Sequence, residues 1–334
     1  MPVVSVGDMA QQFISMRNGS TIKTDLARLT ESLSTGRVTD ITAELGGETT
    51  RLSGINYSLA QLDGYEQAGR ETGLMLINMQ TLLNKVDATR GETGARLLLL
   101  SDSSTGDQID EAARAAGSAF ETIVNTLNTR LANRTLMGGN EVDAPALAAA
   151  DDMLADIRTA LAGSTTVADI TAGIDAWFDD PMGSFTTMGY LGDTGPAQQK
   201  RVSENKRFHI DIRADDPAIR DVLKAAALAA VASELPGLDD RAKSGLLQEA
   251  GLRMFSSASG IVAAQSRIGF VEAGVEQALV ETGAQRAALE MSKNDLISAD
   301  PFDTASKLQN VQLQLETHYS VTARLSQLSL LDYI

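Results

Sequence analysis

Between Leu247 and Leu289 the chain repeats apolar or small residues at alternating steps of four and three, without a break. The series is Leu247, Ala250, Met254, Ser257, Ile261, Ala264, Ile268, Val271, Val275, Ala278, Thr282, Gln285 and Leu289. A period of 3.5 residues is coiled-coil geometry, in which each side chain of the seam fills a hole on a facing helix. Ala250, Ser257, Thr282 and Gln285 are too small or polar for a simple two-stranded zipper, so the seam predicts a bundle of several long helices. It is expected to be buried against the N-terminal helices of the same subunit. Gly245, Gly251, Gly260, Gly269, Gly274 and Gly283 lie along the same stretch. Each costs about 1 kcal/mol of helicity relative to alanine, and both close helix approach and compliance stay open as reasons.

The rest of the chain supplies partners for that seam. From Met9 a broken amphipathic pattern runs through Phe13, Met16, Leu26, Leu29 and Leu33, interrupted at Asn18-Gly19-Ser20. A second helix is expected from about Arg51 through Leu76, Met79, Leu83 and Val86. A third is expected over 107–134, with Ile109, Ala113, Ala116, Phe120, Ile123, Leu127 and Leu131 on one stripe. After Met137-Gly138-Gly139 the periodicity fades. Phe208, Ile210 and Ile212 then alternate with His209, Asp211 and Arg213, which is the period of a half-buried strand, with Val202 a candidate for its hairpin partner. Asp216-Pro217 provides an N-cap and first-turn proline for an alanine-rich helix running to about Glu234.

The expected fold is mainly α. It is an elongated bundle of long antiparallel, coiled-coil-like helices from both chain ends, with a small α/β insertion domain. The expected divisions are an N-terminal assembly and export segment at 1–50, a discontinuous helical core at 51–138 and 238–300, an outer α/β domain at 139–237 and a C-terminal assembly helix at 301–334. The insertion is expected to be a satellite that the core does not need.

Charge and composition exclude several functions. The 334 residues carry a net charge of −16, and between Gly139 and Lys200 only Arg158 and Lys200 oppose ten acids. Without a basic stripe such a chain is a poor nucleic-acid binder, because phosphate neutralisation supplies most of that affinity. Cysteine is absent, which removes disulfides and thiolate metal sites. No apolar run is long enough for membrane insertion, and MPVVSVGDMAQQFISMRNGS lacks the pattern of a Sec signal. His209 and His318, the two histidines, have no zinc-ligand spacing. The pairs Asp151-Asp152, Asp179-Asp180, Asp215-Asp216 and Asp239-Asp240 suit helix capping better than acid–base work. Gly192 to Pro196 lacks the spacing of a phosphate loop. No catalytic, cofactor-binding or metal site is expected, and the chain reads as a protein that is not an enzyme.

The end of the chain, SKLQNVQLQLETHYSVTARLSQLSLLDYI, is a helical pattern that becomes more apolar toward Ile334. A terminus so apolar needs a covering surface, in its own core or on another copy. The expected assembly interface is Phe13, Met16, Leu26, Leu29, Leu33, Leu315, Tyr319, Leu325, Leu328, Leu330 and Leu331, largely unpaired before assembly.

LTESLSTGRV (29–38) resembles the LSTGKRV segment of bacterial flagellins and hook-associated proteins. LQLETHYSVTARLSQLSLLDYI (313–334) resembles the closing motif of the same superfamily. NRTLMGGNEVDAP (133–145) and YLGDTG (190–195) resemble the hook-associated protein 3 branch, which joins hook to filament. After Val38 the family's usual N-x-x-x-D-D-P is absent. The resemblance implies a structural adaptor of the hook–filament junction, exported by the flagellar type III route without a cleaved signal peptide. Its implied partners are another hook-associated protein on the hook side, flagellin on the filament side, a flagellar export chaperone and further copies in a homo-oligomer ring. Two alternatives stay open at this point: a flagellin forming the filament itself, and a cytosolic coiled-coil scaffold or signalling protein.

Overall fold

The computed structural model describes residues 6–44, 46, 49–235 and 238–331, with the side chains at 6–8, 11, 44 and 325–331 outside that description. Ten α-helices are described: α1 Val6–Thr35, α2 Ile41–Glu44, α3 Thr49–Leu97, α4 Gly106–Leu127, α5 Ala150–Ala160, α6 Val167–Asp179, α7 Pro217–Val231, α8 Asp240–Ser256, α9 Ala258–Ile297 and α10 Pro301–Leu331. Two antiparallel hairpins accompany them, β1 Arg130–Leu131 with β2 Arg134–Thr135, and β3 Gln198–Arg201 with β4 Arg207–Ile210. The chain is mainly α with a small mixed portion. It divides into two compact units, one of residues 1–63 and 284–334, the other of residues 64–283.

In the larger unit the long seam is buried as its period requires. Leu247, Ala250, Met254, Ile261, Ala264, Ile268, Val275 and Ala278 have almost no exposure, and Ser257 and Thr282 are buried with them. Its backbone is not one helix, because a turn at Ser257 separates α8 from α9. Past Thr282 the seam opens: Gln285 is exposed and Leu289 half-buried. The burial thus ends where this unit ends.

Within the same unit α3 runs antiparallel to α8 and α9. Gln80 Nε2 donates to the Gln265 carbonyl at 2.7 Å, and Arg90 Nη1 donates to the Met254 carbonyl at 2.6 Å. A Cβ on Gly69 would stand 2.6 Å from Leu279 Cδ2, and one on Gly251 3.1 Å from Leu98. Glycines are therefore placed where these helices approach most closely, as a side chain would hold them apart.

The alanine-rich α7 lies at the centre. Asp216 caps it by accepting from the Ala218 N–H at 3.0 Å, and every residue from Val222 to Val231 is buried. It packs on α4, α6 and α8, and α4 presents Ile109, Ala113, Ala116, Phe120, Ile123 and Leu127 to the core. The expected division into a core and a separable 139–237 portion differs from this arrangement. Residues 217–231 complete the packing of 106–127 and 240–256, because alanines let three helices meet closely. The third helix also ends earlier than its stripe suggested. After Leu127 the chain turns into the first hairpin, whose two-residue loop holds Ala132 and Asn133 at φ 47° and 64°.

Beside these helices Trp177 meets Phe178 and Phe185 edge to face, and Phe178 lies tilted against Phe185, with centroids 4.6 to 6.0 Å apart. Trp177 Nε1 donates to Asp156 at 2.7 Å. The buried Lys224 ammonium is met by Asp179, Asp175 and Asp221, and Asp175 also takes Arg253 at 2.7 Å. The acid pair at 179–180 thus serves a buried lysine as well as the end of α6.

Candidate assembly surface

The smaller unit contains both ends of the described chain. Asp300 Oδ1 accepts from the Phe302 N–H at 2.8 Å and the Asp303 N–H at 3.1 Å, which starts α10. The chain reverses before it: the Val38 N–H donates to the Ile297 carbonyl at 2.9 Å, and the Ala299 N–H to the Gly36 carbonyl at 3.0 Å. Gly36 holds φ 68°, a left-handed conformation suited to the end of α1. From this clasp α1 and α10 run antiparallel, so that Gly19 faces His318 and Lys23 lies over the Tyr319 ring at 5.7 Å.

Their contact has a seam of its own. On α1 the half-buried or buried positions Ser15, Gly19, Ile22, Leu26 and Leu29 step by four and three. On α10 Thr304, Leu308, Val311, Leu315 and His318 do the same. Gly19 is not an interruption, since α1 passes through it unbroken. A Cβ there would stand 3.0 Å from His318 Cε1, and this closeness lets His318 Nε2 donate to the Ser15 carbonyl at 2.9 Å. The histidine is a packing and register element.

The expected interface residues therefore divide. Leu26, Leu29 and Leu315 lie on the internal seam, half-buried. Phe13 (66% exposed), Met16 (61%), Leu33 and Tyr319 (51%) point away from it. Leu325, Leu328, Leu330 and Leu331 belong to α10 by backbone, and their side chains lie outside the described residues. The chain ends are thus paired with each other, and what they leave uncovered is an outer apolar set.

That outer set is larger than the sequence stripe suggested. Met9, Ile14, Phe302, Leu313 and Val321 are exposed on the same two helices. A helix with one buried stripe needs no apolar residue elsewhere, so a second apolar face is the signal that counting a single stripe passes over. The larger unit repeats the pattern on α8 and α9, where Leu252, Phe255, Val262, Phe270 and Val280 are exposed opposite the buried seam.

The two motifs of the insertion meet in a structural buckle. The Asp193 N–H donates to the Gly138 carbonyl at 2.9 Å, and Arg213 Nη1 donates to the carbonyls of Asp193 and Gly195, both at 2.9 Å. Asp193 accepts from the Gly195 N–H and from Asn140 Nδ2, each at 2.7 Å. These bonds hold its carboxyl below the usual carboxylate range, the Gly195 N–H contributing most. Burial pushes the Tyr190 phenol up, and Asp215 adds to this. Such shifts belong to a fastened loop: Asp193 spends its oxygens on this chain's own N–H groups. Among the described residues no group of three His, Asp or Glu side chains is placed to hold a metal ion, and no helix is long and apolar enough to cross a membrane.

Comparison with known proteins adds to this geometry. Residues 255–334, covering all of α9 and α10, match the family of the bacterial flagellin C-terminal helical region. A solved structure from Vibrio parahaemolyticus, assigned to a flagellar hook-associated protein, shares the fold with a TM-score of 0.51 at 12% identity. The match covers 74% of this chain and 96% of that one. No curated protein matches the sequence.

Proposed function

We infer, from a chain that belongs by its C-terminal helical region to the bacterial flagellin and hook-associated group, that it is a structural, non-catalytic part of the flagellum and the adaptor between hook and filament. The observation that carries this reading is the outward apolar face of the paired ends, with Phe13, Met16 and Tyr319 exposed on two helices that already satisfy each other. Such a face is covered when equivalent helices of neighbouring copies pack around it in a ring. Burying large apolar side chains contributes roughly 1.5–3 kcal/mol each, so several contacts made together offset the ordering they require. Before assembly the same face needs protection, which is the task of an export chaperone. The expected route is export without a cleaved signal peptide, with another hook-associated protein on one side and flagellin on the other.

Two measurements test this. Gold-labelled antibody on sheared flagella is expected at the hook's end alone; label along the whole filament would make the chain a flagellin, and none on flagella would end the reading. Deleting 325–334 is expected to leave a folded, exported chain that no longer supports filament growth. Normal filaments from that strain would remove the terminal helix from assembly.

A further inference from the structure

The larger unit carries a second pattern beside its buried seam. On the outer side of α3, Ile77, Thr81, Asn84, Ala88, Gly91 and Ala95 alternate steps of four and three. Alongside them, Phe255, Ser259, Val262, Ser266 and Phe270 form an outer stripe on α8 and α9. The Gln265 side chain ties the stripes together, donating from Nε2 to Asn84 Oδ1 at 2.8 Å. None of these residues is charged, in a chain whose residues are 22% charged. Charge depletion with aromatic residues retained marks the centre of an interface. Ile77, Phe255, Val262 and Phe270 are 49% to 81% exposed. A helix whose core contact is already made gains nothing in water from a second such stripe.

We propose that this face binds the same face of a second copy of the chain, through a two-fold contact whose axis runs along the helices. Two observations select a second copy as the occupant. The first is shape. The large side chains stand on α8 and α9, while Ala88, Gly91 and Ala95 leave a shallow trough on α3. Phe255 lies against Gly94 in its own subunit, so it is level with that trough. An axis along the helices sets α8 and α9 of each copy on α3 of the other at the same level. Phe255 of one copy then enters the trough of the other, and Phe270 meets Ile77. The second is area. Ile77 to Ala95 is ~28 Å of helix, and two helices are ~20 Å wide, which gives a face of about 600 Å². That is close to the ~800 Å² each partner buries in a specific pair, at the weaker end of the range. The inference is independent of the flagellar reading, because the face lies wholly within residues 64–283 and uses neither chain end.

The test is sedimentation velocity on the purified full chain. A reversible monomer–dimer equilibrium is expected between about 1 and 100 µM. Ala88→Glu and Phe270→Ser alter exposed positions, so each should melt as the parent does in dilute solution. Each should weaken dimerisation by about tenfold or more, the first because it buries a charge. Phe13→Ser with Tyr319→Ser, at the chain ends, should leave the dimer intact. The chain has no cysteine, so pairing can also be read by cross-linking. Mixing an Ala88→Cys chain with a Ser259→Cys chain should give a disulfide-linked dimer on mild oxidation, and neither chain alone should do so. A monomer at every concentration would give the face to another partner and overturn the proposal. So would association abolished by the end variants but untouched by Ala88→Glu, or linkage of the Ala88→Cys chain to itself.

Discussion

Gly274 and Gly283 lie on the same helix in different surroundings. A Cβ on Gly274 would collide with the Phe208 ring of β4, whereas one on Gly283 would meet nothing within 4 Å. Alanine gains about 1 kcal/mol of helicity at either position, while overpacking costs about 1–3 kcal/mol. Gly283→Ala is therefore expected to raise the midpoint of chemical denaturation, and Gly274→Ala to lower it or leave it level. The sequence showed both glycines along the seam stretch, but the hairpin ring against one of them is a contact between distant segments and leaves no local mark. Ile268 was legible, because its period alone required burial and it is 1% exposed. Ile268→Asp should cost about 3–5 kcal/mol, as an unpaired buried charge does, seen as lost cooperative unfolding by circular dichroism. An unchanged midpoint would mean that the residue tolerates water. Asp193 gives a pH signature. Its folded pKa is lowered, so its contribution is present above the unfolded value near pH ~4 and fades as pH falls through the folded value. Asp193→Asn should melt lower than the parent at neutral pH, with the difference closing in acid.

At the scale of elements, local chemistry was readable where one residue type decides the outcome. Asp216-Pro217 and Asp300-Pro301 start α7 and α10 as capping rules require. The alternation at 207–212 became β4 and its continuation, with Ile210 and Ile212 buried and His209 and Asp211 exposed. The hairpin at 130–135 was not readable, because Ala132 and Asn133 carry no glycine to announce positive φ and Leu131 continues the helical stripe of α4. The seam was readable, yet its break at Ser257 was not, since a turn of αR geometry (φ −71°, ψ −10°) preserves the spacing. In α1 and α10 the facing seams mix Leu26, Leu29 and Leu315 with the small and polar Ser15, Gly19, Thr304 and His318. A search for large apolar residues took those three leucines together with Phe13, Met16 and Tyr319 of the outer face, and passed over the small positions. The candidate surface was thus found in part for its size, while the contact that orients it was hidden by its small side chains.

For the whole molecule, boundaries drawn from composition differ from those drawn by packing. Residues 139–237 are acid-rich and lose helical periodicity midway, but they also hold α7 and α5, which cover α4, and α6, which packs on α7. Replacing 139–237 by a short linker should uncover Phe120, Ile123 and Leu127, lose cooperative thermal unfolding and bind a hydrophobic dye. A sharp, reversible melt from that chain would show the helices to be self-sufficient. The burial of α7 from Val222 to Val231 has a further consequence for the order of events in folding. Its last seven residues, from Ala225 to Val231, are all apolar and all buried, and exposed in water they would invite aggregation. A chain that emerges N-terminus first, from a ribosome or a narrow channel, presents α4 before α7 and α8 immediately after it. The alanine helix thus meets one wall of its site already available and is closed in by the next segment to arrive, so its vulnerable interval is set by the passage of the residues up to Ser256.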